Sequence, residues 1–341
     1  MSPPAPTVAG AGRLYSIQYL RAFAALMVVV YHAMRWTRPS FEIGAAGVDV
    51  FFVISGFILW TIARERPMST GVFLGRRWVR VAPLYWLLTL AVGALALRWP
   101  DLIWDAHVTP RHLLLSLGFI QHLNPDGQPF PVITPGWSLN YEAVFYLIFA
   151  ASLLVSLRWR IHALTLGLLA VPLFGMVVRP AYFLGANLMF VQFIAGVWLA
   201  EARLHGKLPS RAIGWQMAFA GLALFAALSP LGLFENLFRP FWWGVPAFLL
   251  VAGLVTAEYR GGIPSIRPLI LLGDASYSIY LAHVIIVQVL SHPLKVSHLS
   301  FVPIAVAASV AGGIACYFLL ERPLIALFRG RSERALPSGA D

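Results

Sequence analysis

Arg21 and His32 stand eleven residues apart within one apolar stretch. At about 100° per residue, eleven steps close roughly three turns, so on a helix the guanidinium and the imidazole share one face about 16 Å apart. The next apolar stretch, Val48-Asp49-Val50-Phe51-Phe52-Val53-Ile54-Ser55-Gly56-Phe57, carries Asp49. Glu142 follows Trp137, Ser138, Leu139 and Asn140, and His283 closes the run Tyr277-Ser278-Ile279-Tyr280-Leu281-Ala282-His283. Histidine beside a carboxylate is acid-base machinery, because imidazole titrates near neutrality and the carboxylate fixes its tautomer. Arg76, Arg77 and Arg80 offer another chemistry. Arg77 and Arg80, three apart, share a helix face, and guanidinium forks match phosphate oxygens bidentately.

The elements that must carry these groups are membrane helices. Of 341 residues, 59% are hydrophobic and 11% charged, with a mean hydropathy of +0.76. Apolar runs of about 17 to 25 residues recur along the chain, the length a helix needs to cross a bilayer and unlike the ten-residue alternation of a membrane β-barrel. The fold class read from this is an all-α, polytopic integral membrane bundle of ten spans. They fall near 15–35, 44–62, 81–98, 138–157, 161–178, 182–200, 212–229, 240–257, 269–290 and 300–320. The run 111–123 is too short to cross and reads as re-entrant or interfacial. Residues 1–13, rich in proline, read as a flexible tail, 14–325 as the membrane domain and 326–341 as a short basic cytoplasmic tail. The proline-rich segment 100–136 reads as an outer lid.

A net charge of +11 does not point to nucleic acid, because the cations sit in short loops between apolar spans. Eighteen of the 25 Lys and Arg fall on the side of the N-terminus, which predicts both termini in the cytoplasm. One cysteine, Cys316, excludes an internal disulfide and a cysteine-rich metal centre, and no metal is expected.

Arg and Asp at a helix centre each cost about 2.5 to 3.5 kcal/mol on insertion scales, so such residues face a bundle interior. Counting the helical rise from each span's midpoint puts His32 about 10 Å, Asp49 about 6 Å, Glu142 about 8 Å and His283 about 5 Å toward the outer side. Arg21 lies in the inner half and Arg76, Arg77 and Arg80 at the inner mouth. The gradient predicts an anion entering from inside and acid-base chemistry further out. Each group has a plainer role as well: Asp49 or Glu142 neutralising a buried arginine, His283 bridging helices, the three arginines anchoring topology, and Ser55-Gly56 serving only close helix packing.

Taken together, these segments resemble the membrane-bound acyltransferase family 3, the bacterial O-acyltransferases that modify surface polysaccharides. The resemblance rests on Arg21 with ten residues to His32, Gly47 to Phe57, Arg77-Trp78-Val79-Arg80 followed by Pro83 and Tyr85, Trp137-Ser138-Leu139 with Glu142 and Tyr146, Tyr277 to His283, and Glu321-Arg322-Pro323. Within the family the chain looks most like exopolysaccharide acetyltransferases. The resemblance implies an inner-membrane enzyme moving an acyl group, usually acetyl from cytoplasmic acetyl-CoA, to a hydroxyl of an extracytoplasmic or lipid-linked polysaccharide. Membrane lipid and polysaccharide-assembly proteins are its expected partners.

On that reading His32, Asp49, Glu142 and Arg21 are catalytic, with His32 as general base or transient acyl carrier oriented by Asp49 or Glu142. Arg76, Arg77 and Arg80 hold the CoA phosphates, and Ser55, Trp137, Asn140, Tyr277, Tyr280 and His283 are substrate-site candidates. The alternatives are a lipid or small-molecule acceptor and, in a different class, a proton-coupled transporter or flippase.

Overall fold

The computed structural model describes residues 14–35, 41–99, 108–178, 188–231, 239–291 and 298–335, with no statement on side chains at 178, 298–299 and 329–335. Helices α1 (Tyr15–Met34), α2 (Gly47–Glu65), α3 (Thr70–Arg98), α4 (Pro110–Leu117), α5 (Trp137–Ser152) and α6 (Leu157–Val178) make the first half. The second half holds α7 (Phe190–Leu204), α8 (Arg211–Leu228), α9 (Arg239–Trp242), α10 (Gly244–Gly261), α11 (Arg267–Ser291), α12 (His298–Cys316) and α13 (Arg322–Ala335). No strand occurs among the described residues.

Among the described residues, eight helical stretches are long and apolar enough to cross a membrane. The expected spans at 138–157 and 182–200 correspond to α5 and α7, of 16 and 15 residues. At 1.5 Å per residue these reach about 24 Å, short of a hydrocarbon core of about 30 Å. Residues 182–187 of the second lie outside the described set. The third span starts at Thr70 rather than 81, because Ser69 caps it by accepting from the Val72 amide, so the arginine cluster lies within the same helix. The helix ending the chain runs on to Ala335, well into the predicted tail.

Local signals account for several helix starts. Thr109 caps α4 with Pro110 at its first position, and Ser210 caps α8. For α1 the cap comes from far away. Both oxygens of Glu258 accept from the amides of Tyr15 and Ser16 at 2.8 Å, and the Ser16 hydroxyl donates to the same carboxylate at 2.5 Å. Such a carboxylate satisfies amides that have no partner within the helix.

The bundle is drawn tight by small residues. A Cβ added at Gly273 of α11 would overlap the backbone of Gln18 on α1, and one at Gly56 of α2 the backbone of Phe193 on α7. These two contacts seat α1 and α2 where their polar faces meet.

At one end of the bundle, cations bind the ends of neighbouring helices. Arg203 pairs with Glu65 at 2.9 Å, Arg64 with Glu201 at 3.4 Å, and Arg260 donates to the carbonyls of Gly206, Leu208 and Pro209. The short helix α4 descends along α3. Leu113 lies against Gly93, the carbonyls of Ser116 and Leu117 accept from Tyr85 and Trp86, and Phe119 packs on Trp78. The segment packs alongside α3, and its helix of eight residues is too short to cross a bilayer. Of the expected lid, 100–107 lies outside the described residues.

Candidate active site

A cavity of about 170 Å³ opens among α1, α2, α3, α5 and α11. Arg21, Arg77 and Arg80 line it together with Ser55, Glu142, Tyr146, Ser276, Tyr277 and Tyr280. Arg21 donates from Nε to the Ser276 hydroxyl at 3.1 Å, and the Ser55 hydroxyl donates to Glu142 at 3.0 Å. Tyr146 also hydrogen-bonds Glu142. The Ser55-Gly56 pair therefore does both things read from it: Ser55 faces the cavity while Gly56 admits α7.

Arg77 has its Nε buried with no hydrogen-bond partner, so it retains bonding capacity for a ligand. Arg80 differs: it is paired with Glu321, with its guanidinium 5.6 Å from the Tyr277 ring centroid. Glu321 is 1% exposed and also accepts from the Ser278 hydroxyl at 2.5 Å. Its inward aim comes from the local sequence. Pro323 has no amide hydrogen and its ring crowds the carbonyl four residues back, and the chain over Tyr317–Glu321 widens into a π-helical turn that buries Glu321 between exposed neighbours. Arg76 lies exposed and outside the cavity lining, whereas Arg77 and Arg80 line the cavity.

His32 lies beyond the cavity, on α1, and its partner is His283. His32 Nδ1 is 3.0 Å from the Val28 carbonyl and 3.1 Å from His283 Nε2, while His283 Nδ1 is 3.2 Å from the Ile279 carbonyl. Carbonyls only accept, so both rings carry hydrogen on Nδ1 and His283 Nε2 accepts from His32. This leaves the Nε2 lone pair of His32 for a substrate proton. Tyr280 links the two regions: it lines the cavity, its ring lies 6.1 Å from that of His283, and its hydroxyl meets Ser138 at 2.8 Å and the Pro135 carbonyl at 2.9 Å.

Neither carboxylate expected to orient His32 is bonded to it. Glu142 is engaged by Ser55 and Tyr146. Asp49, fully buried, accepts from Gln192 at 2.7 Å and Arg239 at 3.1 Å, and α2 turns it toward α7 and α9 instead. The single polar layer read from helical rise is therefore two sites and a structural ion pair, because depth along a helix axis says nothing of the direction a side chain faces.

Trp137 stacks under Arg239 at 5.6 Å, in the same network as Asp49, and Asn140 is buried with its Oδ1 unpaired, away from the cavity lining. Arg239, counted in sequence as an outer-loop cation, is buried, as a counterion for Asp49 has to be. Gln192, Ser276 and Glu321 were likewise not singled out as site residues. Glu321 alone carried a signal, an acidic residue closing a long apolar run just before Arg-Pro.

The fold and the cavity together define a multi-pass membrane protein with a chamber lined by three arginines. The chain belongs to the acyltransferase domain family, acyltransferase family 3, whose model matches residues 14–321. It is accordingly a transferase. Among its relatives, the exopolysaccharide production protein ExoZ of Rhizobium meliloti (strain 1021) is 38% identical over 316 residues, covering 90% of this chain and 96% of the relative. The peptidoglycan O-acetyltransferase OatA of Listeria monocytogenes is 26% identical over 83% of this chain, which spans 50% of that longer protein. The acyltransferase MdmB of Streptomyces mycarofaciens is 27% identical over 81% of this chain and 79% of its own length. No solved structure matches.

Proposed function

We propose that the protein transfers an acyl group, acetyl as the simplest case, from cytoplasmic acyl-CoA to a hydroxyl of an extracytoplasmic or lipid-linked polysaccharide. It works in the inner membrane with ten spans, α5 and α7 included, and both termini cytoplasmic. The observation that carries this reading is the cavity in which Arg21, Arg77 and Arg80 converge, separated by Tyr280 from a histidine pair whose outer member has a free Nε2. The names of ExoZ and OatA support a polysaccharide acceptor.

The CoA phosphates lie toward Arg77 and Arg80, and the thioester enters the cavity. The acceptor hydroxyl approaches from the other side, His32 Nε2 takes its proton, and the alkoxide oxygen attacks the thioester carbonyl. The carbon–sulfur bond breaks, and the CoA thiolate leaves and is protonated. Glu142 and Ser55 hold the polar wall of the cavity.

The experiment uses inverted membrane vesicles bearing wild-type or His32→Ala protein at equal abundance, with acetyl-labelled acetyl-CoA on the cytoplasmic face. Label is expected in a base-labile glycan ester with wild type, and reduced by about 10²- to 10⁴-fold in the variant. Full labelling by His32→Ala removes the base role, and no labelling by wild type across several acyl donors removes the transferase reading from this donor class.

A further inference from the structure

Beside the polar cavity lies a larger and more apolar one, about 620 Å³, between α3, the stretch 118–121 and α5. Leu74, Trp78, Phe119, Ile120, Ala143 and Leu147 form its walls. Arg77, Val81, Leu139, Glu142 and Tyr146 line both spaces, so the groove and the cavity adjoin along the seam of α3 and α5.

Two features keep the groove open. A Cβ at Gly75 would meet nothing within 4 Å. Phe119 has a φ of 55°, the one positive value among described residues other than glycine, and its ring lies 5.4 Å from Trp78 and 4.8 Å from Tyr85. A bulky residue in this region is strained, and strain of this kind collects where a site needs a particular wall.

We propose that the groove holds the hydrocarbon chain of the donor thioester, so that the protein accepts acyl groups longer than acetyl. This rests on the acyl-CoA reading above. The occupant follows from the junction: a molecule whose polar carbonyl sits beside Glu142 and Arg77 can enter the groove only with an apolar continuation, which an acyl chain has and a sugar lacks. Each methylene taken from water gains up to about fourfold in kcat/KM, the equivalent of about 0.8 kcal/mol.

The test compares wild type with Gly75→Phe, reconstituted in lipid, on acetyl-, butyryl-, hexanoyl- and octanoyl-CoA. Wild type is expected to gain about two- to fourfold per methylene until the groove is full. The variant is expected to keep acetyl transfer within about twofold and lose the gain, because its ring fills open space away from the reacting atoms. A wild type that uses acetyl best, or a variant that loses acetyl and hexanoyl transfer equally, overturns the proposal.

A second measurement uses an octanoyl-CoA analogue with a terminal diazirine, and adducts are expected on 74–81, 118–121 or 143–147, competed by excess CoA. Adducts that CoA does not compete mean that a membrane lipid tail occupies the groove, which overturns it. Competed adducts with no transfer from any donor leave the groove in place and overturn the transferase reading instead.

Discussion

Glu321 neutralises Arg80 from the far end of the chain, 241 residues away, and is itself almost wholly buried. A guanidinium held this way is fixed in place without being free to wander toward solvent, and Ser278 holds the carboxylate from its other oxygen.

Glu321→Ala leaves Arg80 without its counterion and is expected to cost on the order of 3 kcal/mol. Thermal unfolding in detergent measures that loss. Glu321→Gln keeps hydrogen bonding but not the counterion and should cost less than Glu321→Ala, and its mark is a raised KM for acyl-CoA with kcat little changed, as for groups remote from the reacting carbonyl. An unchanged KM in Glu321→Gln would mean that Arg80 does not meet the donor.

His283→Ala removes the acceptor for His32 Nδ1–H while the Val28 carbonyl remains. A tenfold fall in kcat, about 1.4 kcal/mol, is expected with the donor KM unchanged. The combined His32→Ala, His283→Ala protein should be no worse than His32→Ala alone, since a positioning residue has nothing left to position.

Asp49 is expected to matter for folding rather than for turnover. Asp49→Ala strands buried Arg239 and should destabilise by about 3 to 5 kcal/mol. Adding Arg239→Met should recover part of this, because an apolar pair of similar volume avoids the desolvation of both charges. Activity per folded molecule, measured on the double variant, should stay near wild type.

His112 and His122, outside the spans, approach at 2.6 Å between ring nitrogens. Burial, and His122 beside it, push the His112 imidazole down to about 4, against the smaller opposing pull of Asp126. A histidine lowered in the folded state contributes stability that is full above about 6.5 and is lost as pH falls toward 4, since the unfolded form then binds the proton more readily. The full loss is about 3 kcal/mol. Hydrogen-exchange protection factors over 108–133, corrected for the intrinsic slowing of amide exchange in acid, should therefore fall between pH 6.5 and 4 in wild type, and much less in His112→Gln.

Arg21, Arg77, Arg80 and Glu142 were legible in the sequence because a charge is costly in a membrane, and Tyr277 through the family resemblance; all five line the same chamber. The histidine pair was half legible: His32 and His283 were singled out, but their contact depends on how α1 and α11 are rotated, which Gly273 sets through its approach to Gln18. Asp49 misled for the same reason, its depth being readable and its azimuth not. Arg239 was hidden by proximity to a loop, and Glu321 by lying at the end of a span where an acidic residue costs little to place. The early start of α3 was signalled by Ser69, whose capping role competes with the loop that a charged stretch suggests.

The clasp of Glu258 on the first turn of α1 bears on how the molecule is made. Tyr15 and Ser16 are synthesised well before their anchor, which follows Ser16 by 242 residues. Until then α1 is held by the neighbouring 42–47 segment, where Gly44 and Gly47 approach its backbone, and not at its first turn, because contacts so distant in sequence form late. The helix bearing Arg21 and His32 is thus made long before its first turn is locked, and the site on it is complete only when α10 and α11 are in place.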